Sequence, residues 1–160
     1  MAHDIFLKIN GIEGESQDAN HKNEIEVLRW GWSVQQHSTM HSGSGGGSGR
    51  ASVSDIRFEH MLDRASPNLL KYSLTGKHID QAVLTLRKAG GGSKPLEYLK
   101  ITMNDVIITN VSQSGGGHDV HESVSLSFAK VKQEYVVQNQ QGGSGGVVTT
   151  GFDIKANKEI

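Results

Sequence analysis

The side chains best suited to chemistry lie in Gly-Gly-His-Asp-Val-His-Glu, where His118, His121 and Glu122 carry the donor types of a Zn or Ni site. The segment leaves a glycine loop and enters a strand, so His118 and His121 are expected on opposite faces. His37 and His41 have the spacing of a helical metal pair. A strand would instead hold them on one face roughly 13 Å apart, too far for one ion. The glycine run at 41–49 lacks the Gly-Lys-Ser/Thr ending of a phosphate cradle and is followed by strand-like sequence. Gly76-Lys77 has neither the upstream glycine nor the following hydroxyl residue. There is no Gly-x-Ser-x-Gly elbow in a strand-turn-helix context, and there is no cysteine, which removes thiolate nucleophiles, thiolate metal sites and disulfides. Trp30 and Trp32 share a strand face and could stack bases or sugars. No basic stripe accompanies them, so packing in a core is the favoured reading.

The elements that must position these residues are strands. Ile5, Leu7 and Ile9 alternate with Phe6 and Lys8. Ile56, Phe58 and Leu62 alternate with Asp55, Arg57 and Glu59. Leu84 and Leu86 oppose Thr85 and Arg87, and Val124, Leu126 and Phe128 oppose Ser123, Ser125 and Ser127. This period of two marks half-buried antiparallel strands. Residues 99–111 are apolar on both parities around Val106, Ile107 and Ile108, which predicts burial on both faces. Apolar parity changes between Val27 and Leu28 and again near Ala129. Such a change marks a bulge or a bend between sheets. Ser66-Pro67-Asn68-Leu69-Leu70-Lys71-Tyr72-Ser73-Leu74-Thr75-Gly76 reads as one helix, with Ser66 as N-cap, Pro67 at the first helical position, Gly76 at the end, and Leu69, Leu70 and Leu74 as its apolar stripe. The fold class is therefore mainly β: a two-sheet barrel or sandwich in a single domain over residues 1–160, with one short helix alongside.

Of 160 residues, 35% are hydrophobic, enough for a modest core. Sixteen basic and seventeen acidic residues leave a net charge of −1, which supplies no electrostatic case for nucleic acid or an anionic membrane. Glycine runs at 41–49, 90–92, 115–117 and 142–146 separate the strands and suit exposed loops, or loops that order against a neighbouring subunit. The amino-terminal residues lack the pattern of a secretory leader, and nothing approaches the apolar length of a membrane-spanning helix.

At the level of ordered motifs the chain resembles the Hcp family, the haemolysin-coregulated proteins of bacterial type VI secretion. The resemblance rests on Met1-Ala2-His3-Asp4-Ile5-Phe6-Leu7-Lys8-Ile9, Gly14-Glu15-Ser16, His21 and Val27-Leu28-Arg29-Trp30-Gly31-Trp32. It continues through Ser66-Pro67-Asn68-Leu69, Gly76-Lys77-His78, Leu84-Thr85-Leu86-Arg87-Lys88-Ala89-Gly90 and Glu97-Tyr98-Leu99. Ser125-Leu126-Ser127-Phe128-Ala129 and Glu134-Tyr135 complete it. It implies a non-enzymatic protein that needs no cofactor and no metal. Six copies would close into a ring, and rings would stack into an inner tube. A spike would cap the tube, a sheath would wrap it, and small effector proteins would be held in the channel. It also implies export through the type VI machine without a signal peptide, and a cytoplasmic stage beforehand. Some family members carry a toxin at the carboxy terminus; here the sequence ends after a short strand from Val147 to Ile154, so no fused effector is expected.

Within that frame, Gly31 and Ser33 are expected to face the channel and cargo, because they are small residues opposite the tryptophans. The connection from Gln35 to Arg50 is expected to meet the next ring or subunit, through His37, Met40, His41, Ser42, Gly45, Gly46 and Arg50. Two other readings stay open. One is a carbohydrate- or ligand-binding β-sandwich using Trp30 and Trp32. The other is a cupin-like metal enzyme using His118, His121 and Glu122.

Overall fold

The chain is represented by a computed structural model that describes residues 3–38, 49–88, 95–141 and 143–160. Among these, eleven strands and one helix follow in the order β1 (His3–Ile9), β2 (Ile25–Glu26), β3 (Arg29–Gly31), β4 (Val34–Gln35), β5 (Ser52–Val53), β6 (Ile56–Met61), α1 (Ser66–Thr75), β7 (Ile79–Lys88), β8 (Glu97–Gly115), β9 (Val120–Gln138), β10 (Ser144–Asp153) and β11 (Lys158–Glu159). Nine strands form one antiparallel sheet, in which β11, β10, β9, β8, β7, β1 and β2 are successive neighbours. β6 pairs with β9 on one side and β3 on the other, while β4 and β5 form a separate two-stranded ribbon. The expected barrel-or-sandwich class with one helix is the architecture observed.

The frame is the β8–β9 hairpin, two 19-residue strands in register from Leu99↔Tyr135 to Gly115↔Val120, with one shift near Thr109. Strands this long must bend to enclose a core, and both bend at the same level. On β9 the buried side changes from Val124, Leu126 and Phe128 to Ala129 and Val131. On β8 it changes from Ile101 and Met103 to Val106 and Ile108. The break on β8 falls at Asp105, whose φ of +56° lies in the left-handed region. Aspartate tolerates that region better than most residues. The register sets Asp105 level with Ala129, since Asn104 faces Lys130 and Val106 faces Phe128. The change near Ala129 was legible in the sequence. The one at Asp105 corrects the expected two-sided burial: Val106 and Ile108 are buried, and Ile107 between them is only half-buried.

The bend lets β9 serve two partners. Its amino-terminal half pairs with β6 from His121↔Met61 to Leu126↔Ile56. Its carboxy-terminal half pairs with β10 from Lys130↔Asp153 to Gln138↔Ser144. The segment from Ile25 to Gly31 makes the matching transfer at the other side. β2 pairs with β1, the Val27 amide bonds Ile5, the Leu28 amide bonds Glu59, and β3 pairs with β6. The parity change between Val27 and Leu28 is this handover, so sheet curvature needs no direct pairing of β2 with β3.

Two strands are buried more widely than alternation predicts. On β1, Phe6 is buried along with Leu7 and Ile9, and on β7 Thr85 and Arg87 are buried along with Leu84 and Leu86. The cover is the Ile12–Glu24 connection, which folds back over both strands. Gly14 bonds Asn23 and Ser16 bonds Glu24 through their amides. A Cβ at Gly14 would lie 2.6 Å from the Glu24 carbonyl oxygen, so the close approach needs glycine.

Helix α1 starts one residue earlier than read. Ala65 is the N-cap and Ser66 is already helical. The Asp63 carboxylate accepts the Ala65 amide, and the Ser66 hydroxyl accepts the Asp63 amide. Pro67 lies in the first turn, and Gly76 ends the helix at φ +68° with its amide on Tyr72. The buried stripe is Leu69 with half-buried Tyr72 and Ser73. Leu70 and Leu74 face outward, 39% and 78% exposed, which corrects the expected stripe. Leu69 sits at 0% exposure, so Leu69→Ala should cost about 2–5 kcal/mol. Leu74→Ala should stay within about 0.5 kcal/mol. Urea unfolding of the two variants measures the difference, and equal losses would place the helix in the other rotation.

Candidate functional site

His118, His121 and Glu122 do not converge. His118 is exposed in the β8–β9 turn. His121 is half-buried, with Nδ1 3.9 Å from Asp119 Oδ1. Glu122 projects to the opposite face and is 1% exposed. There it meets His60 Nε2 at 2.8 Å, while the Gln113 amide donates to its other oxygen at 2.9 Å. Burial works to raise the Glu122 carboxyl, but hydrogen bonds from His60, Gln113 and Ser66 outweigh it and hold the group below its ordinary value. Among the described residues no three His, Asp or Glu side chains group to hold a metal ion.

The His60–Glu122 pair was missed, although a signal existed. His60 shares parity with Ile56 and Phe58, and Glu122 shares parity with Val124 and Leu126. Polar residues at two core positions of neighbouring strands imply mutual satisfaction. His60 is 0% exposed, and its Nδ1 has no hydrogen-bond partner, Asp63 Oδ2 lying 3.8 Å away.

A second missed cluster holds the Ile12–Glu24 cover. The buried Arg87 guanidinium makes two bonds to Asp18, at 2.8 and 2.9 Å, and reaches Asp4 at 2.9 Å. It lies 4.9 Å over the Phe6 ring, on which His21 also stacks at 4.3 Å. The two His21 nitrogens face Glu24 at 3.0 Å and Glu97 at 2.7 Å. These partners are up to 83 residues apart, so no local pattern announces them. They fasten a loop and present no open reaction centre.

The surface expected to contact other proteins is built on β3, β4 and β5. Trp30 and Trp32 are both half-buried against the core. Trp32 donates Nε1–H to the Ser54 carbonyl at 3.1 Å and meets the edge of Phe128 at 6.0 Å. That is the core-packing reading of the tryptophans. Gly31 and Ser33 are exposed. A Cβ at Gly31 would meet nothing within 4 Å, and the Ser33 amide bonds Ser54 Oγ. The β4–β5 ribbon forms the base of the long connection, closed by the Gly49 amide on the His37 carbonyl. His37 is exposed. Arg50 reaches across to the carbonyls of Ile154 and Lys155, tying the ribbon to the turn after β10. Met40, His41, Ser42, Gly45 and Gly46 lie outside the described residues. Beneath the ribbon, Trp32, Val53, Phe152 and Ile154 help to line an open apolar hollow of about 300 Å³.

The Asp18 carboxyl is held down at about 2, chiefly by its hydrogen bond to Arg87. A carboxyl depressed on folding contributes stability above its unfolded value near 3.8 and loses it as pH falls toward 2. The thermal midpoint should therefore drop between pH 4 and pH 2 in the parent chain. It should drop less steeply in Arg87→Met. Parallel profiles would exclude Asp18–Arg87 as the source.

Comparison with known proteins places this geometry. Residues 6–135 match the family described as type VI secretion system effector, Hcp. Protein hcp1 of Pseudomonas aeruginosa is 44% identical over 160 residues, covering 98% of each chain. The crystal structure of Hcp1 from Salmonella typhimurium is 57% identical and superposes with a TM-score of 0.82, covering all of both chains. A type VI secretion system effector from Yersinia pestis is 47% identical with a TM-score of 0.78, over 94% of this chain and 99% of its own.

Proposed function

The chain belongs to the Hcp family of type VI secretion proteins, and from that premise we propose that it is a structural unit of the secretion tube: six copies close into a ring, rings stack, and the channel holds small effector proteins. The protein performs no reaction in this reading. Its partners are further copies of itself, the spike, the sheath and the cargo, and it is made in the cytoplasm before export by the type VI route.

The observation that carries the reading is the carboxy-terminal edge of the sheet. β10 is paired on one side with β9, and β11 with Ile160 covers only its end, from Gly151 to Asp153. Val147 and Val148 are 56% and 64% exposed. Val148 pairs with Tyr135, itself 46% exposed, and Val137 beside it is 43% exposed. An open edge carrying exposed aromatic and β-branched side chains invites pairing, and a soluble monomer would be expected to blunt it. Association with another copy covers it. A ring requires that the contact be heterologous, since identical patches would close a dimer instead.

Light scattering of the purified chain should give six times 17.3 kDa. A monomer at tens of micromolar would overturn the reading. Gly31 and Ser33 are assigned to the channel wall. Because a side chain at Gly31 enters open space, Gly31→Trp should keep the ring mass and lose co-purifying effector. Undiminished cargo would remove Gly31 from the channel assignment. The connection ending at Arg50 is assigned to ring stacking. Trimming residues 42–48 should leave the ring mass unchanged and shorten the tubes seen by electron microscopy, and tubes of ordinary length would reassign it.

A further inference from the structure

We propose that an acidic, apolar-rimmed cleft beside β1 and β6 receives the outer face of helix α1 from the neighbouring copy, and that this charge-complementary contact is one of the heterologous joints of the assembly. The proposal rests on the ring reading above and names the surfaces involved.

The cleft has a volume of about 520 Å³. Asp4, Glu15, Glu26 and Asp63 supply four carboxylates to its lining, and no lysine or arginine among the described residues lines it. Its apolar rim includes Leu28, Met61 and Leu62, exposed by 57%, 41% and 37%. Asp4 is paired with Arg87, and Glu15 and Asp63 accept the Arg64 and Ala65 amides, so Glu26 is the carboxylate left to a partner. Solvent-facing leucine and methionine on the same cleft suit a cationic group carried on an aliphatic stem. Arg87, the cation nearest to Asp4, is already shared with Asp18.

The inner wall is itself short of a donor. Asp63 is half-buried, and burial lifts its carboxyl above the ordinary value in spite of the Ala65 amide and His60. Behind it, His60 Nδ1 is fully buried without a partner, 3.8 Å from Asp63 Oδ2. A cation reaching Asp63 would supply the missing compensation.

The matching surface is on the same chain. Helix α1 contains no acidic residue and presents Leu70, Lys71 and Leu74 outward, with Lys77 just beyond its end. Leu74 is the most exposed large apolar side chain among the described residues, at 78%. Lys77 stands 4.9 Å over the Tyr72 ring, which holds its amine at the helix end. The helix cannot fill its own cleft. It begins at the cleft wall, three residues after Asp63, and Leu74 lies about 12 Å further along the axis. The leucines and lysines therefore meet the rim and carboxylates of another copy. Two different patches meeting in this way make a head-to-tail contact, the kind a closed ring needs.

Charge reversal with rescue tests the pairing. Lys71→Glu/Lys77→Glu and Glu26→Lys change exposed side chains only, and circular dichroism checks that each folds. Sedimentation velocity over a concentration series measures assembly. Each reversal alone should raise the concentration needed for assembly about tenfold or more, and combining them should restore it to within about threefold of the parent. Unaltered assembly of the single reversals, or a combination no better than either alone, would overturn the contact. A parent chain that stays monomeric would overturn the ring reading itself, which is a separable outcome.

Discussion

The structure depends on one constraint: two strands of 19 residues, hydrogen-bonded to each other along their length, have to bend together. A phase change in one strand alone would turn half of its apolar residues toward water. Placing Asp105 level with Ala129 moves the buried side on both strands at the same height and keeps the ladder in register on both sides of the bend. Everything else is arranged around that hinge of the sheet. One half of β9 is free to pair with β6 and the other with β10, so a single hairpin organises the whole core.

The second requirement is cover for the far face of β1 and β7. Apolar burial there is limited to Phe6, so the cover is fastened by polar contacts centred on Arg87. A buried guanidinium is tolerable only when its donors are met, and here Asp18 and Asp4 meet them. The His60–Glu122 pair does comparable work inside the barrel. These clusters would attract notice in a search for catalysis, but their protein partners already consume most of the hydrogen-bonding capacity a substrate would need.

The exposed surfaces are of several kinds. Exposed valines and tyrosine border an open strand edge, exposed leucines and lysines line the outside of the helix, and an acidic cleft carries an apolar rim. The patches differ from one another in chemistry. Dissimilar patches on one chain are what cyclic and stacked assemblies use, because each contact must have two distinct sides. The near-zero net charge fits this arrangement, since opposite charges are separated into patches and the total stays close to balance.

The sequence by itself determined the elements and their turning points. Strand alternation, the handover between Val27 and Leu28, the change near Ala129, and a helix bounded by Pro67 and Gly76 were all legible, because they depend on periodicity and on local backbone preference. The ordered motifs were enough to indicate the family. Only the tertiary structure decided which side of the helix faces the core. Leu69, Leu70 and Leu74 are equivalent in type, and packing against β8 selects Leu69. It also decided that Glu122 belongs to His60, that Arg87 is buried, and that Asp105 is the partner bend to Ala129. Each of these depends on contact between residues tens of positions apart, and such contacts leave no period in the chain to read.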